Sequence, residues 1–409
     1  MAYRDSLDSD HLRLLRPVSL SHDNLHFSVI TVRRAAVNSY KYTAVSYTWG
    51  DGSPSETIFL DGQPFPVRPN LWSCLYYLGL ASRHTEWEYL WVDAICINQA
   101  NDAERNSQVR CMDHTYRSAT CVSVWLGLIP LPKGLPRNTL APIKTLDSDG
   151  FDWRESMLEL AGRPYWTRFW VIQECLLGLE IELYCSNNRI TWFDFQRILC
   201  TEADVNEFPQ SDDLDPGGSK AGSYPALPLV MSRTIDRYPE LMQPLYDLVV
   251  AHHRAKCKET RDRVFALLGL VKPEERRMLG RFFPDYAMAE EHVLIITLAH
   301  LTQYTFELAY RDRQPITPDS EELFLGLGVQ SKIRRRAIIR RAKWLDYCDW
   351  DAQLPQLLAL RDQEEQDLGS AYSEEAEEET QVLEGASLRP GGAQLVILLF
   401  FALAATLVW

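Results

Sequence analysis

Apolar positions along the first half of the chain follow two spacings, and the change from one to the other marks its elements. Phe27 to Arg33 and Tyr42 to Tyr47 are short runs rich in β-branched and aromatic residues, which reads as strand. Thr57 to Leu60 and Phe65 to Val67 flank Asp61-Gly62, a dipeptide suited to a tight hairpin turn. Leu71, Cys74, Leu75 and Leu78 then recur at helical spacing, with Asn70 in the position of a cap. Leu90 to Ile97 is apolar throughout except for Asp93, as expected of a strand covered on both faces.

The same alternation continues. A helix is expected from Asp102 to Tyr116, with Asn101 as N-cap, Glu104 as its capping-box partner, and Val109, Met112 and Tyr116 as the buried stripe. Val122 to Leu126 reads as a buried strand ended by Gly127, and the proline-punctuated stretch Leu128 to Leu140 as a surface loop. A helical piece around Trp153 to Ala161, a helix from Thr167 to Leu177, and a β-pair at Ile181 to Cys185 and Arg189 to Thr191 complete this half. Strands alternating with helices indicate an α/β sheet with at least some parallel strands. Glu202 to Pro225, rich in Asp, Gly, Pro and Ser, reads as a linker or long loop. From Leu227 to Tyr310 the pattern is helical, including Leu241 to Arg254, Asp262 to Leu270 and Ala289 to Thr305. Gln363 to Glu384 is a Glu-rich tract of low complexity.

Composition changes the picture mainly by exclusion. The 409-residue chain carries a formal net charge of -14, and so acidic a surface repels phosphate backbones, so no nucleic-acid partner is expected. The basic cluster of Arg334, Arg335, Arg336, Arg340, Arg341 and Lys343 reads as a solvated helix face. The nine cysteines are scattered, several within apolar runs, with no CxxC pair and no zinc-type spacing. They read as reduced core residues of a cytoplasmic protein, and no metal site is expected. The N-terminal segment lacks the apolar stretch of a signal peptide. At the other end, Leu395 to Trp409 is apolar except for Thr406. As a helix these 15 residues span about 22 Å against a hydrocarbon core of about 30 Å, and residues 391–394 bring the segment near the lower limit. Two readings stand for 391–409, a membrane tail anchor or a terminal helix docked on its own protein.

Three blocks place Trp, Asp, Glu and Gln inside apolar segments. The first is Tyr42-Thr-Ala-Val-Ser-Tyr-Thr-Trp-Gly-Asp51. The second begins Leu90-Trp-Val-Asp-Ala-Ile-Cys-Ile-Asn-Gln99, continues through Glu104, Arg105, Gln108, Met112 and Tyr116, and leaves through Val122-Ser-Val-Trp-Leu-Gly127. The third is Arg163-Pro-Tyr-Trp-Thr-Arg-Phe-Trp-Val-Ile-Gln-Glu174. In this order and spacing they resemble the heterokaryon incompatibility (HET) domain of filamentous fungi. Thr260-Arg-Asp-Arg-Val-Phe-Ala-Leu-Leu-Gly-Leu270 and Pro284-Asp-Tyr286 extend the likeness. The resemblance divides the chain into a HET domain at 1–200 (core 42–177), a linker or long loop at 201–228, a helical region at 229–350, an acidic segment at 351–390 and the hydrophobic segment at 391–409. It implies a role in non-self recognition after hyphal fusion and in triggering cell death, with self-association or another incompatibility protein as partner. The domain is similar, more remotely, to TIR domains, which implies a flavodoxin-like sheet with flanking helices.

Candidate chemistry follows from the strand ends, where ligands of open α/β sheets bind. On this reading Tyr47, Trp49, Asp51, Asp93, Asn98 and Gln99 converge on one crevice, with Arg105 nearby. Glu174 lies in an otherwise apolar helix, so its carboxylate must be paired or carry a raised pKa. One reading makes it a structural residue bonded to Arg105 or to backbone donors. The other rests on the TIR likeness: some TIR domains cleave NAD with a glutamate after a Trp-containing segment, to which Trp170 and Glu174 are similar. That makes Glu174 the candidate catalytic residue, with NAD as substrate and no cofactor required. Ser46 lacks the GxSxG context of a serine hydrolase. The functional readings are an NAD-consuming death effector, a non-enzymatic self-associating module, and a degenerate family member with no activity.

Overall fold

The computed structural model describes residues 6–22, 24–50, 52–82, 85–128, 159–186, 188–202, 225–234, 242–309 and 321–344. The chain divides into two compact units, residues 1–289 with 321–328, and residues 290–320 with 329–409. The first unit is α/β and the described part of the second is helical.

The first unit is built on nine strands: β1 (His11–Leu20), β2 (Leu25–Arg33), β3 (Tyr42–Tyr47), β4 (Glu56–Leu60), β5 (Gln63–Val67), β6 (Tyr89–Trp91), β7 (Cys121–Trp125), β8 (Ile181–Cys185) and β9 (Asn188–Thr191). They form one mixed sheet in the order β5-β4-β2-β1-β6-β3-β7-β8-β9. The four adjacent strands β6, β3, β7 and β8 run parallel. Every residue of β3 and β7 is buried, because parallel strands carry helices on both faces and their sequences read as continuous apolar runs. The β4–β5 hairpin turns through Asp61 and Gly62, both at positive φ (48° and 79°), which is why a Gly and a small polar residue stand there. Pro64 and Pro66 are tolerated because β5 is an edge strand, where a missing N–H breaks no ladder.

Around the sheet, α1 (Pro69–Ala81) packs on β1 and β4, close enough that Leu20 fills the space where a side chain at Gly79 would stand. A one-turn α2 (Asp93–Cys96), α3 (Asp102–Arg110) and α4 (Met112–Ser118) connect β6 to β7. Then come α5 (Val171–Leu177), α6 (Trp192–Glu202), α7 (Leu227–Thr234), α8 (Leu245–Ala251), α9 (Asp262–Phe265) and α10 (Pro273–Leu279). In the second unit α11 (Glu290–Ala309) packs against α13 (Lys332–Trp344), while the short α12 (Glu321–Gly326) belongs to the first. Arg334 bonds Glu290 at 2.8 Å and lies 3.4 Å from Glu291, so part of the basic cluster is neutralised across the helix pair.

The structure departs from the sequence pattern at identifiable points. The sequence pattern does not predict β1. β6 ends at Trp91 instead of running to Ile97, because the Asp93 carboxylate takes the N–H of Ala94 at 2.7 Å and opens α2. The single helix expected over 102–116 breaks at Cys111. Asn101 caps it as expected, accepting from the Glu104 N–H at 3.1 Å, but the Glu104 side chain turns to Arg13 and completes no capping box. Asn70 lies inside α1, preceded by Arg68 at the N-cap and Pro69 in the first turn. The helix expected from Thr167 starts only at Val171, since Pro164–Thr167 is a 3-10 turn and Arg168 is extended. The Leu128 to Leu140 loop, most of the Trp153 to Ala161 piece, nearly all of the linker, and residues 351–409 lie outside the described residues. Among the described residues no helix is long and apolar enough to cross a membrane.

Candidate functional site

The site is built where the parallel strands end. β3 lies between β6 and β7, so the chain leaves β3 for one neighbour and later returns to the other side, the position at which open α/β sheets bind ligands. Ser46 and Tyr47 occupy that end, in register with Val124 and Trp125 of β7. Asn70 fastens the two exits together, donating to the Thr48 carbonyl at 2.6 Å and accepting from the Trp125 indole at 2.9 Å.

Glu174 projects from α5 into this end of the sheet and is 3% exposed. The Ser46 hydroxyl donates to its carboxylate and also contacts the Tyr165 hydroxyl. With Glu174 ionised, the single Ser46 proton goes to the carboxylate and Tyr165 donates to Ser46, making a directed chain from Tyr165 through Ser46 to Glu174. Arg168 Nη1 lies 3.6 Å from Glu174 Oε2. Extended backbone brings it there: Phe169 N donates to Lys256 O at 2.8 Å and Lys256 N to Thr167 O at 2.6 Å. Burial pushes the Glu174 pKa up, opposed by Arg168 and by the Ser46 and Tyr116 hydroxyls. Asp93 is raised by burial too, and its charge adds to the upward push on Glu174. Two carboxylates thus share one guanidinium, and buried Nη1 of Arg168 makes no hydrogen bond among the described residues.

Trp49 forms the outer wall. Its indole donates to Asp93 Oδ2 at 3.2 Å, it is 38% exposed, and the Arg68 guanidinium sits over the ring at 5.5 Å. Tyr47 is buried and its pKa is driven well up by burial. Of the residues singled out from sequence, Tyr47, Trp49, Asp93 and Glu174 therefore belong to one cluster. Gln99 braces it from behind, donating to the Asp93 carbonyl at 3.0 Å. Asn98 makes a local turn, its side chain accepting from Ala100 N at 3.2 Å. Arg105 is engaged elsewhere, paired with Asp102 at 2.8 Å and stacked over Tyr286 at 4.1 Å. Asp51 lies outside the described residues. Arg168, Tyr165, Ser46 and Tyr116 complete the cluster and were not singled out as site residues. Arg168 and Tyr165 stand in the same motif block as Glu174, which was the available signal. Among the described residues no group of three His, Cys, Asp or Glu side chains could hold a metal ion.

The family model described as heterokaryon incompatibility protein (HET) matches residues 42–174, from the first residue of β3 to Glu174 itself. Residues 42–174 form a heterokaryon incompatibility domain. The chain is also similar to heterokaryon incompatibility protein 6, OR allele, of Neurospora crassa, at 26% identity over 351 residues. That alignment covers 71% of this chain and 51% of the relative, so the chain spans about half the length of the protein it matches. No solved structure matches it.

Other motif residues of the heterokaryon incompatibility domain hold the fold together. Buried Glu104 pairs with Arg13 of β1 at 2.5 Å and accepts from Leu7 N at 3.0 Å and Asn98 N at 2.7 Å. Buried Gln108 donates to Asp8 O at 2.6 Å and accepts from Arg34 at 2.7 Å. The sequence block after the domain closes over α3: Tyr286 N donates to Asn106 Oδ1 at 2.9 Å, and the Tyr286 hydroxyl to Asp262 at 2.7 Å.

Proposed function

We propose that this chain is an effector of heterokaryon incompatibility whose domain hydrolyses the N-glycosidic bond of NAD or a closely related nucleotide at Glu174. The observation that carries this reading is the placement of a buried carboxylate of raised pKa at the carboxyl ends of parallel strands, beside a second carboxylate and a guanidinium with an unused donor. In chain order the parallel strands lie second, first, third, fourth across the sheet, with β3 at the reversal, an order that supports a flavodoxin-like and TIR-like reading. In the proposed reaction the bond from the ribose anomeric carbon to the nicotinamide nitrogen breaks and its electron pair leaves with nicotinamide. Water adds to the anomeric carbon and releases a proton. Glu174 and Asp93 supply acceptors for ribose hydroxyls and negative charge beside the developing cation. The Arg168 Nη1 donor suits a phosphate oxygen, and the exposed Trp49 face suits a base.

A second reading is favoured by one observation: Glu174 is 3% exposed, with Tyr165 and Arg168 against it. Catalysis requires the 163–170 segment to move away, whereas a structural Glu174 would suit a non-enzymatic module that assembles with itself or with another incompatibility protein. Incubation of the purified chain with NAD, dilute and crowded, beside Glu174→Gln separates the two. Nicotinamide release that disappears in a folded variant supports hydrolysis. No release from the wild-type chain under either condition rejects it in favour of assembly.

A further inference from the structure

A concavity lies away from the Glu174 cluster, between α3 and the segment that runs from α9 to the Phe283-Pro284 bond. Its volume is about 400 Å³, within the range of small-molecule sites. Gln173 forms part of its wall while the next residue, Glu174, contacts Ser46. The interior is apolar: Phe265, Leu268 and Phe283, all buried, contribute to the lining.

Charge around this apolar floor is one-sided. Asp113 is the acidic residue of the lining, and Arg276 neutralises it through two bonds of 2.5 and 2.7 Å. The Gln173 amide is satisfied too, its nitrogen toward Ala266 O at 2.8 Å and its oxygen toward Asp113 N at 3.0 Å. That leaves Arg110 and Arg277, both exposed on the lining, with no side-chain hydrogen bond or ion pair among the described residues. On a chain of net charge -14, two uncommitted guanidinium groups beside an apolar cavity are a local reversal of sign. An apolar ligand alone would make no use of the two cations, and a small inorganic anion would leave the floor uncovered. We infer that this cleft binds a small amphiphilic anion, its aromatic or short aliphatic body on Phe265, Leu268 and Phe283 and its carboxylate, sulfonate or phosphate between Arg110 and Arg277.

The test is a fluorescence titration of the full chain with 1-anilinonaphthalene-8-sulfonate, beside the uncharged N-phenyl-1-naphthylamine, which has the same apolar body. Saturable binding of the anionic dye at one site is expected, weakened about tenfold or more in Arg110→Gln/Arg277→Gln, with the neutral dye changed far less. Both substitutions are on exposed side chains, and circular dichroism checks that the fold is kept. Val109→Trp, which adds bulk to the lining, is expected to weaken both dyes. Absence of saturable binding, binding at many sites, or equal loss of both dyes in the double arginine variant would overturn the assignment.

Discussion

The hydroxyl of Ser46, on the central strand, donates to the carboxylate of Glu174, 128 residues further along the chain. This bond joins the core of the sheet to α5 and is the middle link of the Tyr165–Ser46–Glu174 chain. Ser46→Ala deletes it and leaves two buried polar groups each short of a partner. The expected cost is about 1–3 kcal/mol, because an unmatched buried group loses its solvation without compensation. The Glu174 pKa should rise further, since a donor to its charged form is gone. Urea unfolding and carbon-13 NMR titration of the glutamate carboxyls measure the two effects. Unchanged stability together with an unchanged titration would mean that the bond contributes nothing.

Glu174 also sets a pH dependence with a definite sign. Its folded pKa is raised above the ordinary 4.5, so its contribution to stability is fully present below that value. It is lost as pH rises through the folded pKa, because the buried carboxylate must then ionise. Glu174→Gln resembles the protonated form and does not titrate. Relative to wild type the variant should therefore gain stability as pH increases, and the gap measured at pH 4 should move in its favour by pH 8. Unfolding free energies across that range decide it. A wild type that gains on the variant with rising pH would show that Arg168 outweighs burial.

What sequence reveals here follows the range of the forces involved. β3, β8 and the β4–β5 hairpin are legible because burial pattern and turn chemistry are local. β1 is not, because Arg13 interrupts its apolar run, and its burial depends on partners far along the chain, Glu104, 91 residues away, and the Cys96 carbonyl. The same holds at the site. Glu174 attracts notice as a carboxylate in an apolar helix, but its partner Arg168 reaches it through backbone pairing with Lys256, and helical spacing would have placed the two apart. Arg105, by contrast, shares a motif block with Asp93 yet stacks on Tyr286, a residue from well beyond the domain.

The Glu104–Arg13 pair gives the opposite pH signature. Burial pushes the Glu104 pKa up, but the Arg13 guanidinium and the N–H groups of Asn98 and Leu7 outweigh it, so the group titrates below its ordinary value. Its stabilisation is present above the unfolded pKa of 4.5 and is lost as pH falls through the folded one. Glu104→Gln leaves Arg13 buried without its counter-charge, and the expected loss at neutral pH is about 3–5 kcal/mol. Denaturant midpoints of wild type and variant should converge under acid. A constant gap down to the lowest accessible pH would assign the loss to packing instead of charge.

The helix bearing Glu174 is set against the sheet by a contact that admits no extra atom. Gly178 follows α5, and a Cβ there would stand 2.5 Å from Val122 Cγ2 on β7. Its φ of -61° is open to any residue, so backbone conformation is not what requires glycine. Close approach is. Gly178→Ala must push α5 or β7 aside, at an expected cost of about 1–3 kcal/mol. Val122→Ala alone opens a cavity and is destabilising as well. In Gly178→Ala/Val122→Ala the new methyl enters the space the old ones left, so the double variant should be more stable than the sum of the single losses implies. Denaturation of the four proteins closes this cycle. Strict additivity would mean that the Gly178–Val122 contact does not set the distance between Glu174 and the strand ends.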